Sequence, residues 1–237
     1  MAYIKGEPLK ELRKKIIKIA ASYVGQTSIS GQNSAKNDPI FDKKLRGVGW
    51  SAAAWCNWTV LLIYKEALIG GNMLVDGIGD SDRNFENKRR YIPLPVDSSK
   101  SGKIISSPTK GYYRNDYSLQ TPHTTATRSN FQKFNRFISI NEDGGLGRKG
   151  SPSKFKKYAE GGYILPGDSV LFDWAGTNPR TEDHIGIYVA PANSSYTKAI
   201  CIEGNTSATG KPNGVYLKVR NVPNIMGFNQ LVLRENI

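Results

Sequence analysis

Residues 165–206 read LPGDSVLFDWAGTNPRTEDHIGIYVAPANSSYTKAICIEGNT. The runs Ser169–Trp174, His184–Val189 and Lys198–Glu203 within it are short, rich in β-branched residues and roughly alternating, which predicts strands. Pro166-Gly167-Asp168 and Pro191-Ala192-Asn193 supply turns before the first strand and after the second. Val215–Arg220 and Gln230–Arg234 repeat the pattern downstream, set off by Gly204-Asn205 and Pro212-Asn213-Gly214. Consecutive strands with short links predict a mostly antiparallel sheet of five to six strands.

The chain upstream is helical in character. Leu12, Ile16, Ile19, Ala20 and Tyr23 recur at helical spacing, Pro8 suits a first turn, and Gly25 suits a stop. Residues 26–49 are polar and rich in Gly, Asn and Asp, so they read mostly as loop. A second helix is predicted over about 52–69, with Ser51 as N-cap and Gly70-Gly71 as its end. Its run from Trp55 to Leu62 is apolar almost all round, as a buried helix requires. Further on, the Ser129 cap and the Phe131/Phe134/Phe137 spacing predict a short helix at about 129–138. Ser151, Pro152 and Gly161-Gly162 frame another at 152–160. Helices first and strands after give an α+β chain, read as a single domain over 1–237 with an irregular insertion at about 72–150.

Composition narrows the function classes. Among 237 residues, 33 Lys+Arg stand against 20 Asp+Glu, a net charge of +13. Residues 83–157 hold 16 Lys+Arg and 5 Asp+Glu, so nearly all of that excess lies in and just beyond the insertion. Such a segment suits an anionic polymer, or serves only as a solvated basic surface. Tyr112, Tyr113, Tyr117, Phe131, Phe134 and Phe137 interleave with Arg114, Arg128, Lys133 and Arg136. That mixture suits single-stranded nucleic acid, sugar, or a small satellite core, and no nucleic-acid-binding motif favours the first. No apolar run approaches a bilayer span, and MAYIKGEPLKELRKK has charges where a secretory signal needs its apolar stretch. Two Cys and two His exclude Cys-rich zinc modules and disulfide scaffolds.

The residues able to carry chemistry are few. Cys56 falls near the start of the second predicted helix, where the helix dipole favours thiolate. The plainer alternative is a buried structural thiol. His184 opens a strand, and Gly186, two residues on, points the same way and leaves room beside the imidazole. Glu203 ends the apolar run Ala199–Ile202, an unexpected place for a charge without a partner, although an exposed Glu closing a Gly-Asn turn is common. Glu203 and Asn205 share a face if the strand extends that far. His123 lies in Thr-rich irregular sequence and reads as a surface residue. A thiol, a base and an orienting group together are what acyl transfer by a cysteine enzyme needs.

The wording of these segments is more specific than their residue types. In order come Ala-Ser-Tyr-Val-Gly (21–25), Trp55-Cys56, Leu165–Phe172 with its Pro-Gly-Asp, Asp183–Ile187, and Ile202-Glu203-Gly204-Asn205-Thr206. The chain resembles the CHAP family, the cysteine, histidine-dependent amidohydrolases/peptidases of phage lysins and bacterial wall hydrolases, which group with the NlpC-type enzymes among papain-like folds. The resemblance covers about residues 8–70 and 150–237. It implies a papain-like α+β fold, with Cys56 as nucleophile, His184 as base, and Glu203 and Asn205 orienting the imidazole. Trp55, Trp58, Trp174 and Asp183 are the candidate substrate-binding residues.

The implied substrate is an amide bond of peptidoglycan, at muramoyl–alanine or within the peptides, and the implied partners are the wall and its anionic polymers. A monomer made in the cytoplasm without a signal peptide and acting on the bacterial wall is expected, as a released lysin or carried in a virion. The chain departs from the family in the length of its insertion. It also lacks an Asp-x-Asp calcium loop, since Asp38 and Asp42 do not match one. No metal and no cofactor are expected. Two other readings stay open: a non-catalytic phage structural or injected protein that binds an anionic polymer, and a cysteine peptidase or effector directed at protein.

Overall fold

The structure, a computed structural model, describes residues 3–4, 7–30, 34–37, 39–47, 55–68, 90–91, 137–142, 149–174, 184–209, 211–231 and 233–236. Most of the basic insertion, the proposed Ser51 cap, His123 and Asp183 lie outside these residues.

The main sheet has six strands, all antiparallel to their neighbours. They are β5 (Phe137–Ser139), β6 (Ser169–Phe172), β7 (His184–Pro191), β8 (Lys198–Thr206), β9 (Gly214–Asn221) and β10 (Ile225–Asn229). Their order across the sheet is β5-β10-β6-β7-β8-β9. Helices α1 (Glu7–Ser22) and α3 (Cys56–Leu68) cover one face, burying Leu12, Ile16, Ile63 and Ala67 against Leu171, Ile185, Ile187 and Ile202. Helix α4 (Pro152–Glu160) covers part of the other face. Its Phe155 stacks on Phe228 at 5.6 Å and meets Tyr188 edge-on at 5.8 Å. This is the expected α+β architecture, and both faces of the sheet carry apolar side chains because both are covered.

Local chemistry explains the element ends. Ser151 accepts a hydrogen bond from Lys154 N at 3.5 Å and Pro152 occupies the first turn of α4. Gly25, with φ +97°, ends the turn after α1 in a conformation that side chains disfavour. Arg13 of α1 binds the turn before β6: Nη2 donates to Asp168 Oδ1 at 2.8 Å. Asp168 also accepts from Leu165 N at 2.8 Å and from Leu231 N at 2.6 Å. Its side chain is fully buried, so this one carboxylate ties helix, turn and sheet end together.

The structure corrects four expectations. Residues 26–49 are not mostly loop: β2 (Ser28–Ser30) pairs with β3 (Ser34–Asn37), and α2 (Pro39–Gly47) follows. Phe41 and Leu45, one turn apart, bury α2 against the core, an apolar pair too short to stand out in a charged stretch. The cysteine helix begins at Cys56, several residues later than predicted. Phe137–Ser139 is a strand paired with β10, because Gly227–Asn229 offers it a ladder that outweighs local helical spacing. Finally, the sheet strand expected at 230–234 lies earlier, at β10 (Ile225–Asn229), just after the 3₁₀ turn Val222–Asn224. Leu233–Asn236 forms β11, which pairs instead with β1 (Tyr3–Ile4) and β4 (Arg90–Tyr91).

Candidate active site

Cys56 is the first residue of α3, and Trp55 immediately precedes it. Trp55 O accepts from Thr59 N and from Thr59 Oγ1, each at 3.0 Å, which secures the first turn. Cys56 is therefore closer to the positive end of the helix dipole than the predicted start allows.

His184 opens β7 opposite Phe172 of β6. Its Nε2 lies 3.0 Å from Glu203 Oε2, and its ring is also a hydrogen-bond partner of Cys56. Burial alone would push the imidazole down, but the hydrogen bonds and negative charges of Cys56 and Glu203 raise it to about 9. The site thus favours an imidazolium at neutral pH.

Glu203 sits in β8 with no solvent exposure. Burial works to raise its pKa, yet hydrogen bonds and charge from Arg220 and His184 hold it below the usual carboxylate value. Gly186 makes this packing possible: a Cβ there would lie 2.7 Å from Glu203 Cγ. The room that Gly186 leaves is thus taken by the glutamate beside the imidazole. Gly204 plays the same part toward α3, since a Cβ there would lie 2.1 Å from Thr59 Oγ1. The cysteine helix and the glutamate strand approach this closely only with glycine between them.

Asn205 does not continue the alternation. It has φ +54°, and the β8–β9 register shifts between Glu203 and Thr206. The simple two-residue repeat that would set Glu203 and Asn205 on one face is interrupted there.

Of the aromatic candidates, Trp174 is 41% exposed and lies 6.1 Å from the His184 ring, stacked on Phe172 at 4.9 Å. Trp55 is fully buried against Phe41, and Trp58 is nearly so, which puts both in the same core cluster as Cys56, itself fully buried. Cys201 is a buried free thiol whose pKa burial drives well above the ordinary value.

Arg220 of β9 is the site residue that sequence reading missed. Its Nε donates to Glu203 Oε1 at 2.7 Å and its Nη2 to Glu203 Oε2 at 2.5 Å. Its guanidinium lies 4.7 Å from the centre of the Trp174 ring. The one available signal was the unexplained charge of Glu203, which called for a cation without saying which.

No family model matches the chain, and no curated protein matches it. Among solved structures, an N-acetylmuramoyl-L-alanine amidase from Bacteroides uniformis is similar at 12% identity and a TM-score of 0.37, over 95% of this chain and 99% of that one. A likeness of that degree carries no weight for the chemistry, which rests on the residues themselves. Among the described residues no helix is long and apolar enough to cross a membrane.

Proposed function

We propose that the protein is a peptidoglycan hydrolase that cleaves an amide bond through a cysteine acyl-enzyme. The observation that carries this reading is a buried His184 joined to Cys56 on one side and Glu203 on the other. A thiol at a helix start, an imidazole held charged, and a buried carboxylate behind it form a nucleophile–base–orienter set. The choice of peptidoglycan follows from the resemblance of the Cys56, Pro-Gly-Asp, His184 and Glu203-Gly204-Asn205 segments to CHAP enzymes.

With Nε2 engaged by Glu203, Nδ1 is the ring nitrogen that serves Cys56. The Cys56 thiolate attacks the amide carbonyl, and the carbonyl oxygen takes up the negative charge. The backbone N–H of Cys56, at the start of α3, is one donor toward that oxyanion. Collapse of the intermediate breaks the C–N bond, and the leaving amine takes the imidazolium proton. Neutral His184 then takes a proton from water, whose hydroxide attacks the thioester, and Cys56 leaves again as thiolate. Glu203 stabilises each imidazolium stage. Trp174 offers an exposed apolar ring beside His184 for substrate, while Asn205, past the break in the alternation after Glu203, is assigned no step.

The basic segment fits this use, because wall polymers are anionic and a positive field concentrates an enzyme on them. Purified protein should clear a suspension of sacculi, and the Cys56→Ala protein should not. Clearing by Cys56→Ala at the wild-type rate would reject the proposal. Cleavage of a protein substrate with sacculi untouched would favour a protein-directed peptidase.

A further inference from the structure

Glu203 poses a physical problem that the Cys–His pair does not solve. A carboxylate with no solvent exposure is costly to keep charged, and a lone buried carboxyl drifts to its neutral form. The neutral form is a poor partner for an imidazolium. It also rotates freely enough to leave either oxygen toward the ring. Glu203 needs both a charge and a clamp.

We propose that Arg220 is a positioning residue of the active site, which holds Glu203 ionised and in one orientation so that Oε2 stays on His184 Nε2. The inference rests on the reading of Cys56 and His184 as nucleophile and base. Arg220 meets Glu203 through two parallel bonds, Nε to Oε1 at 2.7 Å and Nη2 to Oε2 at 2.5 Å. A planar fork on a planar carboxylate fixes its rotation as well as its charge, which a lysine cannot do. The arginine is itself held. Its Nη2 donates to Thr206 Oγ1 at 3.1 Å, and its guanidinium lies 4.7 Å from the Trp174 ring and 5.9 Å from the Phe172 ring. The half-exposed Trp174 is thereby linked through Arg220, Glu203 and His184 to Cys56.

The ionisable groups that bear on Glu203 come from three strands. They are His184 of β7, Cys201 of β8, and Arg220 and Lys218 of β9, with Cys56 of α3 acting through the imidazole. Lys218 Nζ is turned to Ser207 O at 2.6 Å, so the fork is Arg220's own.

The test is the pH dependence of Cys56 alkylation by iodoacetamide, measured in a Cys201→Ala background so that one thiol reports. A thiolate paired with imidazolium reacts well below the ordinary thiol pKa near ~8.5. Arg220→Met should let Glu203 take up a proton, weaken the imidazolium, and cut the rate at pH ~5–6 about tenfold or more, the order expected for losing a charge-assisted pair. Glu203→Gln should give the same profile, and adding Arg220→Met to it should change nothing further. Arg220→Lys keeps charge without the fork, so its profile should fall between wild type and Glu203→Gln.

A bridge that served stability alone would lower Tm and leave the profile unmoved. An Arg220→Met protein on the wild-type profile, or an effect that adds to that of Glu203→Gln, overturns the proposal. If Arg220→Met does not fold by circular dichroism, Arg220→Lys decides, and a wild-type profile there overturns it equally. Digestion of sacculi is scored separately. A protein that shows the Arg220 shift but digests no sacculi supports Arg220's role and sets aside only the substrate class. A wild-type Cys56 that alkylates like an ordinary thiol removes the Cys–His reading and this one with it.

Discussion

The approach of α3 to β8 at Gly204 makes a sharp prediction for Gly204→Ala. The new Cβ would sit 2.1 Å from Thr59 Oγ1, 2.6 Å from Thr59 Cβ and 2.9 Å from its Cγ2. Rotation of Thr59 offers little relief. The residue is β-branched and therefore stiff, its Oγ1 is tied to Trp55 O at 3.0 Å, and its Cβ moves only with the helix backbone. Restoring normal contact requires the first turn of α3 to shift by about 1 Å in a close-packed interior. Overpacking of this kind costs about 1–3 kcal/mol. For a chain of this size that corresponds to a fall in Tm of roughly 2–12 °C. The same shift carries Cys56 away from His184, and a misplacement of about 1 Å can cost ~100-fold in rate.

Thermal unfolding by circular dichroism and the rate of sacculus clearing measure the two effects. Thr59→Ala removes Oγ1 and Cγ2, so it should cost about 1 kcal/mol alone through the lost hydrogen bond. In the Gly204→Ala background it should recover part of the loss, a coupling of about 1 kcal/mol or more in a double-mutant cycle. Wild-type Tm and rate for Gly204→Ala, or strict additivity with Thr59→Ala, would refute the close-approach argument.

Three further outcomes follow from the same geometry. Gly186→Ala puts a Cβ 2.7 Å from Glu203 Cγ, a side chain already pinned by His184 and Arg220, so kcat should fall about tenfold or more with KM little changed in steady-state assays. His184 stands at about 9 against 6.5 for the free side chain, so its stabilisation is complete below pH 6.5 and is lost as pH rises toward 9. That loss amounts to about 3 kcal/mol in urea unfolding; Glu203→Gln should shrink it and bring the alkaline limb of the rate profile to lower pH. Asp168→Ala leaves Arg13 without its buried counter-charge and Leu231 N without its acceptor, so it should lower stability by about 3–5 kcal/mol in the same unfolding assay while the Cys56–His184 pair stays intact.

How much of this was legible in the sequence depends on the reach of each interaction. The helix at Pro152–Glu160 was readable because its cap, proline and closing glycines all lie within a dozen residues. The strands β6 to β9 were readable because their alternation and turns are local too. His184 and Glu203 stood out as polar residues joined to apolar strands. Helix α2 was not readable: Phe41 and Leu45 become an amphipathic face only when the aromatic pocket of Tyr23 and Trp55 is there to receive Phe41. Arg220 was hidden for a different reason. The β8–β9 register sets it opposite Ala199, while Tyr216 stands opposite Glu203, so reading cross-strand neighbours would not pair it with the glutamate. The backbone turn at Asn205 was equally hidden, because it depends on the register shift after Glu203.

The central claim is that Cys56, with His184 and Glu203 behind it, cleaves an amide of peptidoglycan. Mass spectrometry of the muropeptides released from purified sacculi by wild type and by Cys56→Ala tests it most directly. The account predicts fragments with a newly freed amine and carboxylate from the wild-type protein and none from Cys56→Ala. Fragments cut only at glycosidic bonds, identical products from Cys56→Ala, or no release by the folded wild-type protein would contradict it.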